Sequence, residues 1–424
     1  HINNSSDSRF DPSLDVFYKF TPNLTGALTL NTDFSATEVD DRQVNLTRFS
    51  LFFPEKRDFF VQDSEIFSFG GATSNNGTPF YSRRIGLDAA SGQPVDIDVG
   101  GKLAGRIGNL SVGALVVQQE ERVGVEDAPL FVGRVTQNIL EESRVGAIFT
   151  QGDPNSLIDN SLAGVDFRYR NTRFSTNHTL TGDFWYQQSD TDGLTGDEKA
   201  YSANLDLSTE NTGLSGTLGY SYIGAEYNPA LGFANRRGIE KIDAEMQGRY
   251  YVSNNPLLRY YFGRLRYSHT RRIDNGEMQS EELSARLFSL NSHQADRLYL
   301  DVQREREGLV ADFQISPGIV IPAGKYSFDS AEFGLESSEF RTFIPKFSYK
   351  QGDFYSGEQR QMGVGLGWQP GPRFSSNFSY TYTNVELPQG DFITRIVILN
   401  ATVAFSSTWS WINLVQYDDL SSSA

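Results

Sequence analysis

Apolar and polar residues alternate along most of this chain, in segments of about ten or more residues that are separated by turns. In residues 199–208, Tyr201 and Leu205 point to one face of an extended strand while Asn204 and Asp206 point to the other. The same division recurs in residues 165–170, 241–252, 297–303 and 374–382. Each strand therefore has one apolar and one polar face, which predicts an all-β protein whose strands cross a membrane.

Composition and connections support one repetitive architecture. No linker divides the 424 residues, and 31 Phe and 20 Tyr accompany only 3 Met. No apolar run of about 18 residues is present to form a transmembrane helix. Short turns alternate with longer polar loops, as in outer-membrane barrels. We predict that residues 1–424 form one large transmembrane antiparallel β-barrel of roughly 20 to 24 strands in the bacterial outer membrane.

A soluble β-sandwich is the alternative, because its strands also alternate. Two features favour the barrel. The polar faces carry many charges, including Arg264 and Arg266 on one strand, and the segments are longer than most strands of sandwiches.

One stretch breaks the alternation. Residues 44–70, VNLTRFSLFFPEKRDFFVQDSEIFSFG, combine many phenylalanines with a charged cluster. Such a stretch suits neither bulk water nor lipid, so we predict that residues 34–79 form a plug-like segment lying wholly or partly in the lumen. Part of this segment could instead form a strand over residues 45–53. The next strand is predicted at residues 80–86.

The charged cluster is Glu55, Lys56, Arg57 and Asp58. Buried charges need partners, and the charged inner faces of the strands can supply them. We therefore predict that this cluster locks the segment to the barrel wall; gating or solute binding is the alternative role. The predicted plug and lumen residues are Arg48, Phe52, Phe53, Glu55, Lys56, Arg57, Asp58, Phe59 and Phe60.

These residues also carry a resemblance. Residues 44–60 resemble the signature of an uncharacterised family of bacterial outer-membrane β-barrel proteins, a domain of unknown function, with weaker similarity at residues 317–326 and 411–418. Asp58 departs from the family pattern, which tends to have proline there. The resemblance implies an outer-membrane barrel associated with glycan or surface polymer. It also implies that a carbohydrate-binding-like β-sandwich commonly precedes the barrel and that further strands follow it, both outside this chain.

The sequence contains no recognisable catalytic motif, so we predict no catalytic residues and no cofactor. Its four histidines are scattered over unrelated segments, and the chain has no cysteine. Asp190, Asp192 and Asp197 form a weak candidate metal site in a polar loop. Divalent cations at the outer loops are therefore a further expectation.

The predicted function is passage or uptake of a polar, glycan-derived solute. A non-conducting scaffold of a surface or secretion complex and a membrane-embedded hydrolase are the alternatives. The expected partners are outer-membrane lipid, lipopolysaccharide and a protein at the membrane. Nucleic acid is not expected, because the net charge of -16 would be repelled by phosphates.

Overall fold

The fold was analysed in a computed structural model, which describes residues 13–32, 40–71, 76–87, 95–120, 129–209 and 212–419. The chain is almost entirely β-structure. Its strands are β1 Leu14–Thr21, β2 Leu24–Thr32, β3 Ile97–Ile107, β4 Leu110–Gln119, β5 Leu130–Ile139, β6 Ser143–Gln151, β7 Asn160–Ser175, β8 His178–Thr191, β9 Lys199–Thr209, β10 Gly213–Ile223, β11 Ile239–Tyr251, β12 Leu258–Arg272, β13 Met278–Ser292, β14 Arg297–Leu309, β15 Phe313–Ser316, β16 Ile319–Ile321, β17 Gly324–Glu336, β18 Phe343–Phe354, β19 Gly357–Gly371, β20 Phe374–Leu387, β21 Gly390–Ala404 and β22 Ser410–Asp418.

A single sheet of 20 strands contains every strand except the β15–β16 hairpin. Each strand pairs antiparallel with its neighbour in the chain, and β14 pairs with β17 across the hairpin. Within the described residues, β1 pairs only with β2 and β22 only with β21. The helical elements are short: α1 at Asp58–Val61 and 3₁₀ helices at Ser64–Phe67 and Ser82–Arg84. No helix of the described residues is long and apolar enough to cross a membrane.

The two faces of the sheet differ as the alternation predicts. On β7, Val165 is 55% exposed while the adjacent Asp166 is 5% exposed. On β9, Leu205 is 46% exposed and Asn204 is 6% exposed. Large apolar side chains thus point outwards all along the sheet, while most polar residues point inwards. These features are those of a large transmembrane β-barrel and confirm the predicted fold class.

The chain between β2 and β3 packs on the inward face. We call its described part, residues 40–71 and 76–87, the inner segment. Phe59, Phe60 and Phe67 of this segment pack into an apolar cluster with side chains of β2 to β6 and with Leu231. The other members of the cluster are Ile85, Ala27, Ile97, Ala104, Leu115, Val117, Leu130, Val132 and Ile148. The inward faces of these strands are therefore largely apolar, unlike those of the strands that follow.

Two sequence expectations for this region are wrong. Residues 45–53 and 80–86 are not strands; the second stretch contains the 3₁₀ helix Ser82–Arg84, and β3 begins only at Ile97. Arg57 donates to the carbonyls of Ser82 and Ile85, so these carbonyls bond within the segment instead of in a strand ladder. The irregular chain thus continues beyond the predicted end at residue 79, while its residues 34–39 and 72–75 lie outside the described residues.

Two of the longer connections between strands fold inwards. In residues 224–238, Tyr227 and Leu231 are fully buried, and Phe233 forms an antiparallel bridge with Thr78 of the inner segment. The β15–β16 hairpin packs with inward residues of β14 to β20, in a cluster that includes Leu46. The interior is therefore narrowed from two further directions.

Candidate functional site

The inner segment is held to the barrel wall by a buried ion pair. Arg134 of β5 and Asp166 of β7 make two hydrogen bonds of 2.6 and 2.8 Å, and their side chains are almost completely buried. Arg134 also donates to the carbonyl of Ser68, while Asp166 accepts from the backbone N–H of Gly70. A charge pair in low dielectric needs such additional partners, and here the inner segment supplies them.

Further wall residues bind the segment's backbone. The ammonium group of Lys102 on β3 donates to the carbonyls of Phe59 and Gln62, at the end of α1. A cation there also faces the negative end of the helix. On β8, Gln187 donates to the carbonyl of Gly77 at 2.8 Å. Backbone groups in a buried irregular segment need partners, and these side chains provide them.

The opposite side of the barrel also contacts the segment. Arg48 donates to the carboxylate of Glu307 on β14 at 2.9 Å and to the carbonyl of Gln279 on β13. Arg42 pairs with Asp418 on β22. The segment thus contacts strands as far apart as β3, β14 and β22.

Within the described residues, the predicted charged cluster bonds to partners in the segment itself. Glu55 accepts three hydrogen bonds from Arg57, two of them from the guanidinium, and one from Ser82. Lys56 lies 3.8 Å from Asp40, also in the segment. The described partners of Glu55 and Arg57 thus lie in the inner segment, whereas the sequence analysis expected them on the barrel wall. Arg57 is buried and reaches nearby carbonyls, so the local fold satisfies it first.

Electrostatics agree with this internal role. Burial alone raises the pKa of the Glu55 carboxyl, but hydrogen bonds from Arg57 and Ser82 and the charge of Arg57 together leave it below its ordinary value. The pairing therefore stabilises the folded segment above that ordinary value, and its contribution is lost as the pH falls through the lowered pKa.

The other predicted residues lie in three settings. Phe59 and Phe60 belong to the apolar cluster against the wall. Phe52 stacks on Tyr81 at 4.5 Å and meets Phe233 of the inward-folded loop. The backbone of Phe53 bonds to the hydroxyl of Tyr81. Asp58 is the exposed first residue of α1.

A cavity of about 550 Å³ remains between the inner segment and the wall of β10 to β19. Four basic side chains and three inward carboxylates line it, together with serine hydroxyls and aromatic rings. The lining residues that carry the chemistry are Arg48, Arg236, Lys241, Lys350, Glu282, Glu305, Glu307, Ser221, Ser268, Ser280, Phe49 and Tyr355. This cavity is the candidate functional site.

Its acidic side is built by strand register. Glu282 of β13 and Glu305 of β14 are direct partners in the ladder, so both carboxylates project from the same face. Across the cavity, the guanidinium carbon of Arg236 lies 3.5 Å from the ring centre of Phe49. Burial lowers the pKa of Arg236, an effect that Glu307 opposes. The cavity thus presents both signs of charge to its contents.

Asp190, Asp192 and Asp197 do not converge. Asp190 is part of β8 opposite Ser161, and Asp197 accepts a hydrogen bond from Tyr222. In the described part of the chain, no three acidic or histidine side chains lie where they could hold a metal ion. Strand geometry explains this, because β8 fixes the direction of Asp190 before the loop begins.

Several contact residues were not predicted from sequence: Lys102, Arg134, Asp166 and Gln187. One sequence signal could have indicated the strands on which the inner segment packs. Glycines occupy inward strand positions where a ring approaches: a Cβ on Gly113 would lie 3.0 Å from Phe67 and Ile66, and one on Gly164 would lie 3.0 Å from Phe69. Glycine inside a strand often marks such close approach.

The outward apolar face and the polar interior decide the location. The chain is a β-barrel of the outer membrane. Comparison with known proteins adds that the family described as “Domain of unknown function (DUF5916)” matches residues 1–99. No curated protein matches the sequence.

The chain is similar in fold to several solved bacterial structures, among them the outer membrane protein OpdK of Pseudomonas aeruginosa. OpdO of Pseudomonas aeruginosa is 11% identical, with 77% of this chain and 93% of that chain covered and a TM-score of 0.42. OpdK of the same organism, crystallised with vanillate, is 12% identical, with coverages of 75% and 93% and a TM-score of 0.43. OccAB2 of Acinetobacter baumannii is 11% identical, with coverages of 75% and 92% and a TM-score of 0.42.

Proposed function

We propose that the chain is a channel through which a small polar solute crosses the outer membrane. The observation that carries this proposal is the polar cavity between the inner segment and the β10 to β19 wall, with charges of both signs. A scaffold has no need for such a space. Apolar packing fills the β2 to β6 side instead, which leaves the opposite side as the path.

The inner segment would set the width of this path. Arg48 bridges the segment and the wall through Glu307, so the segment forms one lip of the cavity. Glu282 and Glu305 form the facing lip. Fixed charges that face each other across a narrow passage select ions and orient solutes.

Planar-bilayer recording tests the proposal. We expect discrete current steps from the wild-type protein and a fall of about twofold or more in cation-over-anion preference for Glu282→Gln/Glu305→Gln, because the passage loses two negative charges. Glu358→Gln is the matched control: Glu358 shares the outward face of β19 with Val364 and Leu366, so ion preference should not change.

Absence of current from protein that is shown to be folded and inserted would contradict the channel and favour the scaffold. Folding is verified independently by the different migration of unheated and boiled protein in detergent gels, and insertion by flotation of the protein with lipid vesicles. An unchanged ion preference in the double variant would contradict the assignment of the path to this cavity.

The solute class follows from the lining. Serine hydroxyls and charged groups can bond to many hydroxyls, and the rings of Phe49 and Tyr355 offer apolar contact. This chemistry supports a glycan-derived solute. We expect short oligosaccharides to interrupt the current, while polyethylene glycol of equal size should not. Equal interruption by both would contradict a preference for glycans.

A further inference from the structure

The outer surface of β11 to β17 carries an unusual set of charged residues. Arg304 and Arg306 lie on the same face of β14 as Val302, because alternate residues of a strand share a face. Ladder pairing places this face outwards: Arg304 is opposite the exposed Leu283, and Val302 is opposite Ala331. These arginines therefore point away from the lumen and towards lipid.

Their position along the strands is near the outer edge of the membrane. β14 ends at Leu309, shortly before the long connection that contains the β15–β16 hairpin, and long connections of outer-membrane barrels are extracellular. Further towards the membrane centre, the same face has only apolar residues, Val302, Leu300 and Leu298. The arginines thus lie where acyl chains give way to headgroups.

The two arginines belong to two ion pairs on this outward face. Arg304 makes two hydrogen bonds, of 2.7 and 2.8 Å, to Asp329 of β17. Arg306 donates to Glu281, and the side chains are 49% and 21% exposed respectively. The carboxylate of Glu281 thus lies deeper than the guanidinium that it holds. Each guanidinium uses only some of its donors within the described part of the chain, so both can also bind an anion.

A groove for an acyl chain begins directly beneath these charges. Ala285, Val302 and Ala331 are successive partners across β13, β14 and β17, so small side chains form a continuous row. Bulkier Leu265 and Leu283 border this row. The resulting outward depression has a volume of about 530 Å³ and also reaches Arg304, Asp329 and Gln351.

We propose that this surface binds the lipid A part of lipopolysaccharide. A phosphorylated sugar would contact Arg304 and Arg306, and one of its acyl chains would lie along the small-residue row. Arginine forms strong charge-assisted hydrogen bonds with phosphate. The carboxylates of the two ion pairs and the hydroxyl of Tyr267, which bonds to Glu281 at 3.1 Å, suit sugar hydroxyls. The combination of an anionic headgroup, a sugar and several chains selects lipid A among outer-membrane lipids.

Native mass spectrometry of the detergent-purified barrel tests this site. Bisphosphorylated lipid A is added to the wild-type protein, to Arg304→Gln/Arg306→Gln and to Val302→Phe, which fills the row. We expect apparent affinity to fall about tenfold or more in the double variant, because the phosphate loses both of its cationic partners, and to fall in Val302→Phe, because the acyl chain loses its groove. Arg360→Gln is the matched control, because Arg360 is outward on β19 and pairs with Glu358 of its own strand.

Dephosphorylated lipid A and phosphatidylglycerol distinguish the sources of the headgroup. Weak binding of both by the wild-type protein is expected. Equal binding of phosphatidylglycerol would overturn the choice of lipid A. Unchanged lipid A binding by Arg304→Gln/Arg306→Gln or by Val302→Phe would overturn the site. Unheated gel migration confirms that each variant is folded, so a loss of binding cannot result from unfolding.

Discussion

Arg134 and Asp166 connect the inner segment to the wall through charge that is almost wholly removed from water. Their side chains are 0% and 4% exposed. Removing one partner leaves the other charge buried without compensation, which typically costs about 3–5 kcal/mol. We expect Arg134→Met to lower the free energy of unfolding by that amount, as measured by denaturant titration of the barrel in lipid vesicles.

The matched control for this substitution is Arg134→Met/Asp166→Asn. Asparagine removes the unpaired charge yet retains an acceptor for the N–H of Gly70, so most of the stability should return. A single variant as stable as the wild-type protein would show that the pair does not hold the segment.

The surroundings of individual side chains could be predicted only in part. The face of each residue could be predicted, because alternation is a local property: Val165 and Asp166 lie on the faces that the sequence indicates. The partners of Glu55 and Arg57 could not, because a buried guanidinium bonds to whichever carbonyls the surrounding fold brings near, here those of Ser82 and Ile85.

The strands β3 and β4 show how an element can be shaped for its neighbour. Gly113 leaves room for the rings of the inner segment, since a Cβ there would lie 3.0 Å from Phe67. We expect Gly113→Val to lower the free energy of unfolding by about 1–3 kcal/mol through overpacking. Gly101→Val is the control, because nothing lies within 4 Å of a Cβ at Gly101; its stability should not fall. Equal effects of both substitutions would contradict close packing at Gly113.

Long connections were the elements that sequence predicted least well. Residues 224–238 are polar enough to indicate an outer loop, yet Tyr227 and Leu231 are fully buried. Tyr227 packs with strand residues such as Leu162 and Ala200, whereas Leu231 joins the apolar cluster of the inner segment. The partners lie far away in the sequence, as in the bridge from Phe233 to Thr78. Local patterns contain no information on such distant packing. The strands themselves were predictable because each needs only its period and its neighbours.

The whole molecule is asymmetric in cross-section. Apolar packing joins the inner segment to β2 to β6, whereas charged and hydroxyl-bearing side chains line the cavity along β10 to β19. The candidate site therefore depends on both halves of the barrel. The β2 to β6 half holds the inner segment in place, and the inner segment forms one side of the cavity along β10 to β19. Only the polar half was evident from the sequence, because its strands alternate cleanly, and the cavity's exact members depend on where the segment lies.

This division into lipid-facing and water-facing sides can be tested directly, because the natural chain has no cysteine. Ser268 lines the cavity and Leu265 is 45% exposed on the opposite face of the same strand. In intact outer membranes, we expect a charged, water-soluble thiol reagent to label Ser268→Cys rapidly and Leu265→Cys hardly at all, because lipid covers position 265. After transfer to a lipid-free denaturant both should react. Rapid labelling of Leu265→Cys in membranes would mean that water, and not lipid, contacts the apolar face. This result would contradict the assignment of the chain as an outer-membrane barrel.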